Sequence, residues 1–296
     1  MLSGSIVALV TPMHVGGEVA WQALDELIEW HVASGTHGIV PMGTTGESAT
    51  LDTTEHLEVI KRTIAQVNGR VPVIAGTGSN STAEAIHQTQ EAQAAGADAC
   101  LLVAPYYNRP TQEGLYQHFA AIAAATTVPI VLYNVPPRTG CDLLPETVGR
   151  LATLDGVVGI KEACGDASRV TRILEAAKAK NANDFFVLSG EDAQTLEMMD
   201  LGAVGTISVT ANVLPGKMAA FCSAFLDGQR EAAGALDQQL QPVHEIVFVE
   251  SSPTPVKWAL ADMGRMPGGI RLPLIPLTTE HHQEVRLRIQ AAEERR

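Results

Sequence analysis

Aromatic side chains make up only 4% of the 296 residues, against 46% hydrophobic residues overall. A core drawn from this chain is therefore aliphatic, and the length suits a single α/β barrel of roughly 250 residues. Positive charge is scarce as well: 20 Lys and Arg face 33 Asp and Glu, a net charge of −13. That balance argues against nucleic acid or an anionic membrane as partner, since both need a basic face. A small anionic substrate stays open, because it needs only one or two well-placed cations. Cysteine is limited to Cys100, Cys141, Cys164 and Cys222, with no C-x-x-C pair and no metal-ligand spacing. Scattered cysteines of this kind suit reduced thiols in a cytosol. Long apolar runs are missing too. The opening MLSGSIVALVTPM has no basic segment, and its apolar stretch is too short for a signal peptide or a membrane span. His244-Glu245 lacks the second histidine of H-E-x-x-H, and no G-x-G-x-x-G follows the first strand-like run. The expectation is a soluble, cytoplasmic protein.

What is present is alternation. Short β-like runs fall at 5–10, 38–41, 71–75, 99–104, 129–133, 157–160, 185–188 and 204–209. Helical periodicity fills the gaps. Trp21, Leu24, Leu27, Ile28 and Val32 form one apolar stripe, and Leu57, Ile60, Ile64 and Val67 another. Eight strand–helix units in succession imply a parallel sheet with right-handed crossovers, and eight is the number that closes a (β/α)8 TIM barrel. After about Asp227 the pattern changes to helices alone, over 229–249, 255–263 and 278–294, closed by a charged tail through Arg296. The expected division is a catalytic barrel over 1–228 and a small C-terminal helical domain over 229–296.

In such a barrel, chemistry sits where strands end, and polar residues collect at those places. The second strand runs into Gly43-Thr44-Thr45-Gly46-Glu47, the fourth into Pro105-Tyr106-Tyr107-Asn108, and the fifth into Tyr133 through Gly140. The sixth, Val-Val-Gly-Ile, leads straight into Lys161 and Glu162, and the seventh into Ser189-Gly190-Glu191-Asp192. A lysine at the lip of an apolar strand is the key residue. Burial disfavours an ammonium, and a neutral amine can attack a ketone to form a Schiff base. A phenol at Tyr133 would move protons during imine formation. The GTTGE loop offers backbone N–H groups and hydroxyls to a carboxylate. It lacks the Gly-Lys-Ser/Thr of a phosphate-binding loop. The planar fork of Arg138 would clamp a carboxylate.

These segments carry a resemblance. GTTGES at 43–48, YYNRPTQEGLYQHF at 106–119, YNVPPRTGCDL at 133–143 and GIKEACGD at 159–166 resemble the dihydrodipicolinate synthase family of pyruvate-dependent class I aldolases. The likeness runs over essentially the whole chain. It implies a TIM barrel with a C-terminal helical domain, a homotetramer, and a lyase that needs no metal or organic cofactor. The implied reaction condenses pyruvate with L-aspartate 4-semialdehyde, the entry to lysine biosynthesis through diaminopimelate. Under the resemblance Lys161 is the Schiff-base lysine, and Tyr133, Thr44 and Tyr107 relay protons, Tyr107 from a neighbouring subunit. Thr45 takes the pyruvate carboxylate, Arg138 the semialdehyde carboxylate, and Gly190 and Ile207 line the pocket.

An allosteric pocket for the inhibitor L-lysine is implied at Ser48, Ala49, His56, Asn80, Glu84 and Tyr106. The chain departs from the family at Thr53, often a histidine, and at Cys164, usually Thr or Ser. Two alternatives come with the reading. One is a related lyase acting on N-acetylneuraminate or a ketodeoxy sugar acid, which generally lacks an arginine at the place of Arg138. The other is a non-catalytic carboxylate-binding barrel, which would have little reason to keep Lys161, Tyr133, Thr44 and Tyr107 together.

Overall fold

In the computed structural model, which describes residues 2–294, strands and helices alternate as the periodicity requires. The strands are β1 (Gly4–Ala8), β2 (Gly38–Val40), β3 (Ile74–Gly76), β4 (Ala99–Val103), β5 (Ile130–Asn134), β6 (Val157–Glu162), β7 (Phe186–Ser189) and β8 (Gly205–Ser208). Their sheet order is β2-β1-β8-β7-β6-β5-β4-β3 and the pairings are parallel. Except for β2 and β3, which end the order, sequential strands lie side by side, the (β/α)8 TIM-barrel arrangement expected. Met1, Arg295 and Arg296, the last two closing the charged tail, lie outside the described residues.

The chain divides into two compact units, Pro72–Ile207 and Leu2–Val71 with the chain from Ser208 onward. The first holds β3 to β7, most of β8, and helices α3 (Thr82–Ala95), α4 (Gln112–Ala125), α5 (Pro136–Thr139), α6 (Pro145–Leu151), α7 (Arg169–Lys178) and α8 (Thr195–Asp200). Its core is aliphatic: Leu101, Leu115, Ile122, Val131, Leu132, Ile160, Val170 and Val187 are each 3% exposed or less. The helices begin where side-chain oxygens take the first free N–H groups. Ser81 accepts from Glu84 N, and Thr111 accepts from Gly114 N at 3.2 Å. A left-handed Gly96 closes α3.

The second unit holds β1, β2, α1 (Trp21–Ala33), α2 (Thr53–Val67), α9 (Pro215–Leu226), α10 (Arg230–Ile246), α11 (Thr254–Asp262) and α12 (Thr279–Glu294). The stripe foreseen on α1 is buried at Leu24, Leu27 and Ile28, and that on α2 at Ile60 and Val67. A buried ion pair joins α11 to the turn after β2: Lys257 Nζ donates to Glu47, whose other oxygen accepts from the backbone N of Arg271 at 3.1 Å. The Arg271 guanidinium in turn grips Glu55 with two bonds of 2.7 Å.

The strand limits differ from the sequence expectation by up to three residues, and two of the differences bear on the site. β3 begins at Ile74, beyond Val71, where the N–H of Val73 is taken by the Asp98 carboxylate at 2.8 Å. β6 runs on to Glu162, so that Lys161 sits inside the ladder, opposite Tyr133 on one side and Leu188 on the other.

Candidate active site

The first unit brings Lys161 and Tyr133 together. Parallel pairing sets their Cα atoms opposite each other on β5 and β6, and alternation along a strand then points both side chains to one face. The lysine Nζ lies 4.3 Å from the centroid of the Tyr133 ring, within the reach of a cation–π contact. Both residues are buried, at 6% and 7% exposure. The amine is held on an aromatic face and away from bulk water, as the Schiff-base expectation requires.

Gly190, at the end of β7, supplies the space for that amine. A Cβ there would lie 2.9 Å from Lys161 Cε and 2.7 Å from Ala163 Cβ, closer than carbon atoms approach. Its neighbour Glu191 is half-buried. Burial pushes its carboxyl above the ordinary range, Asp192 pushes the same way, and the positive charges of Lys161 and Arg138 pull it back. Glu191 is thus an acidic group in the field of Lys161 and Arg138, a residue to which the sequence reading gave no role. Ile207 on β8 is 1% exposed.

Arg138 lies exposed on the single-turn α5, which starts on two prolines where missing N–H groups cost nothing. The loops after β4 and β5 are stitched together: Tyr107 N donates to Thr139 O at 3.1 Å, and Cys141 Sγ to Pro105 O at 3.1 Å. Tyr107 itself is 89% exposed on a left-handed backbone, φ 73°. An aromatic residue held outward at that backbone cost is unusual for a side chain with no role.

Thr44 and Thr45 belong to the second unit, on a 3-10 turn that follows β2 directly. Thr45 is buried, Thr44 half-buried. The turn is held by Gly46 N donating to Gly43 O at 3.0 Å and by Thr11 Oγ1 donating to Gly46 O at 2.6 Å.

The residues expected to bind lysine divide between the units. In the first, Asn80 Nδ2 donates to Tyr106 O at 3.1 Å, while Glu84 accepts from the Oγ of Ser79, the residue before Asn80, at 2.6 Å. In the second, His56 is buried on α2, while Ser48 and Ala49 lie on the turn leading to it.

The sequence reading gave no role to four polar residues of the first unit. Asn134 and Glu162 follow Tyr133 and Lys161 on the opposite faces of their strands; Asn134 donates to Glu162 and to Asp142, and Asp142 accepts in turn from Arg169. The signal was a carboxylate placed at the end of an apolar strand, which burial tolerates only with partners. Burial pushes the Glu162 carboxyl up to about 7 despite the opposing Arg169 charge and the Asn134 hydrogen bond.

Comparison with known proteins agrees with this geometry. Residues 1–292 match the model of the Dihydrodipicolinate synthetase family. The chain is 56% identical over 286 residues to the 4-hydroxy-tetrahydrodipicolinate synthase of Pseudomonas savastanoi pv. phaseolicola, covering 97% of each. Among solved structures it is similar to the chloride-inhibited dihydrodipicolinate synthase of Acinetobacter baumannii complexed with pyruvate, with a TM-score of 0.96, 49% identity and 99% of each chain covered. It is also similar to the enzyme of Cyanidioschyzon merolae with lysine bound, with a TM-score of 0.93, 38% identity, and 99% and 98% covered.

Proposed function

The chain belongs to the dihydrodipicolinate synthetase family, and we propose that it condenses pyruvate with L-aspartate 4-semialdehyde to 4-hydroxy-tetrahydrodipicolinate. The observation that carries this reading is the buried Lys161 amine held 4.3 Å from the Tyr133 ring. In the proposed reaction the amine attacks the pyruvate ketone, and loss of water leaves an imine. That imine is an electron sink, so the methyl group gives up a proton and the resulting enamine attacks the aldehyde carbon. The amino group of the semialdehyde then displaces Lys161 as the ring closes.

Each step needs a proton moved at a stated atom. The Tyr133 hydroxyl is the donor and acceptor for carbinolamine collapse, with Thr44 and Tyr107 completing the relay. Tyr107 is proposed to act in a neighbouring subunit of a homotetramer; its exposure and left-handed backbone support that assignment. Thr45 takes the pyruvate carboxylate, and Arg138 that of the semialdehyde, where two charged hydrogen bonds of about 1.5–3 kcal/mol each would favour a short carboxylated aldehyde. Gly190 and Ile207 shape the pocket wall. L-Lysine is proposed as a feedback inhibitor, a reading the lysine-bound relative supports, and it is placed near Asn80, Glu84 and Tyr106. We place the reaction in the cytoplasm, which the four free thiols support. No helix among the described residues is long and apolar enough to cross a membrane.

The test is borohydride reduction in the presence of pyruvate, followed by peptide mapping. A reduced pyruvyl adduct on Lys161 is expected, and condensation activity with no adduct at that residue would discard the mechanism. Replacing the semialdehyde by N-acetylmannosamine in a coupled assay should give no turnover.

A further inference from the structure

β5 and β6 start out of step. Ile130 faces Val157 and Val131 faces Gly159, so Val158 is an extra residue in β6 before Tyr133 comes opposite Lys161 and Asn134 opposite Glu162. A one-residue slip in a strand pair turns every side chain to the other face. The upstream ladder therefore does not by itself secure the register in which the lysine meets the tyrosine.

The pair immediately behind them is suited to do so. Asn134 Nδ2 donates to Glu162 Oε1 at 2.9 Å and Oε2 at 3.2 Å, and to Asp142 Oδ1 at 2.8 Å. Its Oδ1 accepts from Leu143 N at 2.9 Å, which uses both N–H groups and the carbonyl of the amide. Asn134 is fully buried and Glu162 is 1% exposed. The second oxygen of Asp142 accepts from Arg169 at 2.5 Å. Because Asp142 and Leu143 follow the loop that carries Arg138, the same amide closes that loop at its base.

We propose that Asn134 and Glu162 are positioning residues: their buried amide–carboxylate pair holds the register that sets Lys161 against Tyr133, and the amide's remaining bonds fix the loop of Arg138. This builds on the reading of Lys161 as the Schiff-base lysine. The groups facing Glu162 are Asn134 from β5, Asp142 from the following loop, Cys164 from the loop after β6, and Arg169 from α7. Burial and Asp142 favour its acid form, whereas Arg169 and the bonds from Asn134 and Cys164 favour the carboxylate. The balance leaves the Glu162 carboxyl raised to about 7, so protonation of this group changes the bonding of the pair near neutral pH.

The experiment measures the initial rate of borohydride-trapped adduct formation with pyruvate, well below the unfolding temperature of every variant. The native chain tests the Lys161 reading alone; no adduct there sinks that reading, whatever Asn134 does. Asn134→Asp keeps the acceptor for Leu143 N but sets carboxylates against each other, and its trapping rate is expected to fall about tenfold or more. Adding Glu162→Gln restores the bond with donor and acceptor exchanged, and the rate is expected to return to within about threefold of native. The KM for the semialdehyde stays raised in the double variant, because residue 134 still repels Asp142. A role in stability alone would not split the two readouts. Native-rate trapping by N134D, or no recovery on adding E162Q, overturns the proposal. Should N134D fail to fold, E162Q alone decides. The native rate is expected to show a step with a midpoint near 7 that E162Q lacks, and identical pH profiles overturn the proposal.

Discussion

An alanine at position 190 would set its Cβ 2.7 Å from Ala163 Cβ, 2.9 Å from Lys161 Cε and 3.1 Å from Glu162 O. Two of these three neighbours cannot swing away, since one is a methyl fixed to its backbone and the other is a strand carbonyl. The third, Lys161 Cε, is the far end of a flexible side chain and swings aside, but the contact with the Ala163 methyl remains, so the backbone at position 190 must shift as well. Relief of an overpacked contact of this size costs about 1–3 kcal/mol. If that cost falls on the position of the amine, adduct formation slows by roughly 5-fold to 150-fold. The assay is the rate of borohydride-trapped adduct with pyruvate in Gly190→Ala, set beside the thermal unfolding midpoint of the same variant. The expected pattern is a large loss of rate together with a loss of stability, because the lysine stem is displaced and the backbone must also move off the Ala163 methyl. A variant that traps pyruvate at the native rate would refute the claim that Gly190 makes room for the amine. So would a variant that loses stability but no rate.

Three further outcomes are expected. His31 on α1 is fully buried, with neither ring nitrogen hydrogen-bonded among the described residues, and burial with the Arg265 charge lowers its pKa to about 3. Between that value and the ordinary 6.5 the unfolded chain binds a proton that the native chain refuses, so stability falls with decreasing pH, by roughly 3 kcal/mol at about pH 4. In His31→Leu the difference in urea stability between neutral and acid pH should shrink by about that amount, and an unchanged difference would refute the assignment. Lys257→Met strands the Glu47 carboxylate and should cost about 3–5 kcal/mol in denaturant unfolding, with part of the loss regained in Lys257→Met/Glu47→Gln. A variant as stable as the native chain would show that the buried pair contributes nothing. Finally, Glu84→Gln should raise the lysine concentration for half-inhibition by about tenfold, the loss of one charged hydrogen bond; equal inhibition would move the proposed lysine site elsewhere.

The amino-acid sequence by itself determined the element order and the aliphatic core, and it marked the strand ends at which the proposed chemistry lies. Local rules suffice there: period-3.6 stripes such as Leu24–Leu27–Ile28, apolar runs bounded by glycine, and polar residues concentrated after each strand. Lys161 was legible because a cation ending an apolar strand demands a reason. Only the tertiary structure decided what that lysine touches. The face it shares with Tyr133 depends on a parallel register that passes through an irregularity at Val157–Gly159, and no local pattern reports which residues of two strands come opposite. The Glu162–Asn134–Asp142–Arg169 chain joins residues up to 35 positions apart through hydrogen bonds that exist only once β5, β6 and α7 have packed. Likewise, the need for glycine at position 190 arises from the side chain of a neighbouring strand. Contact across distant segments, unlike periodicity, is a property of the folded chain.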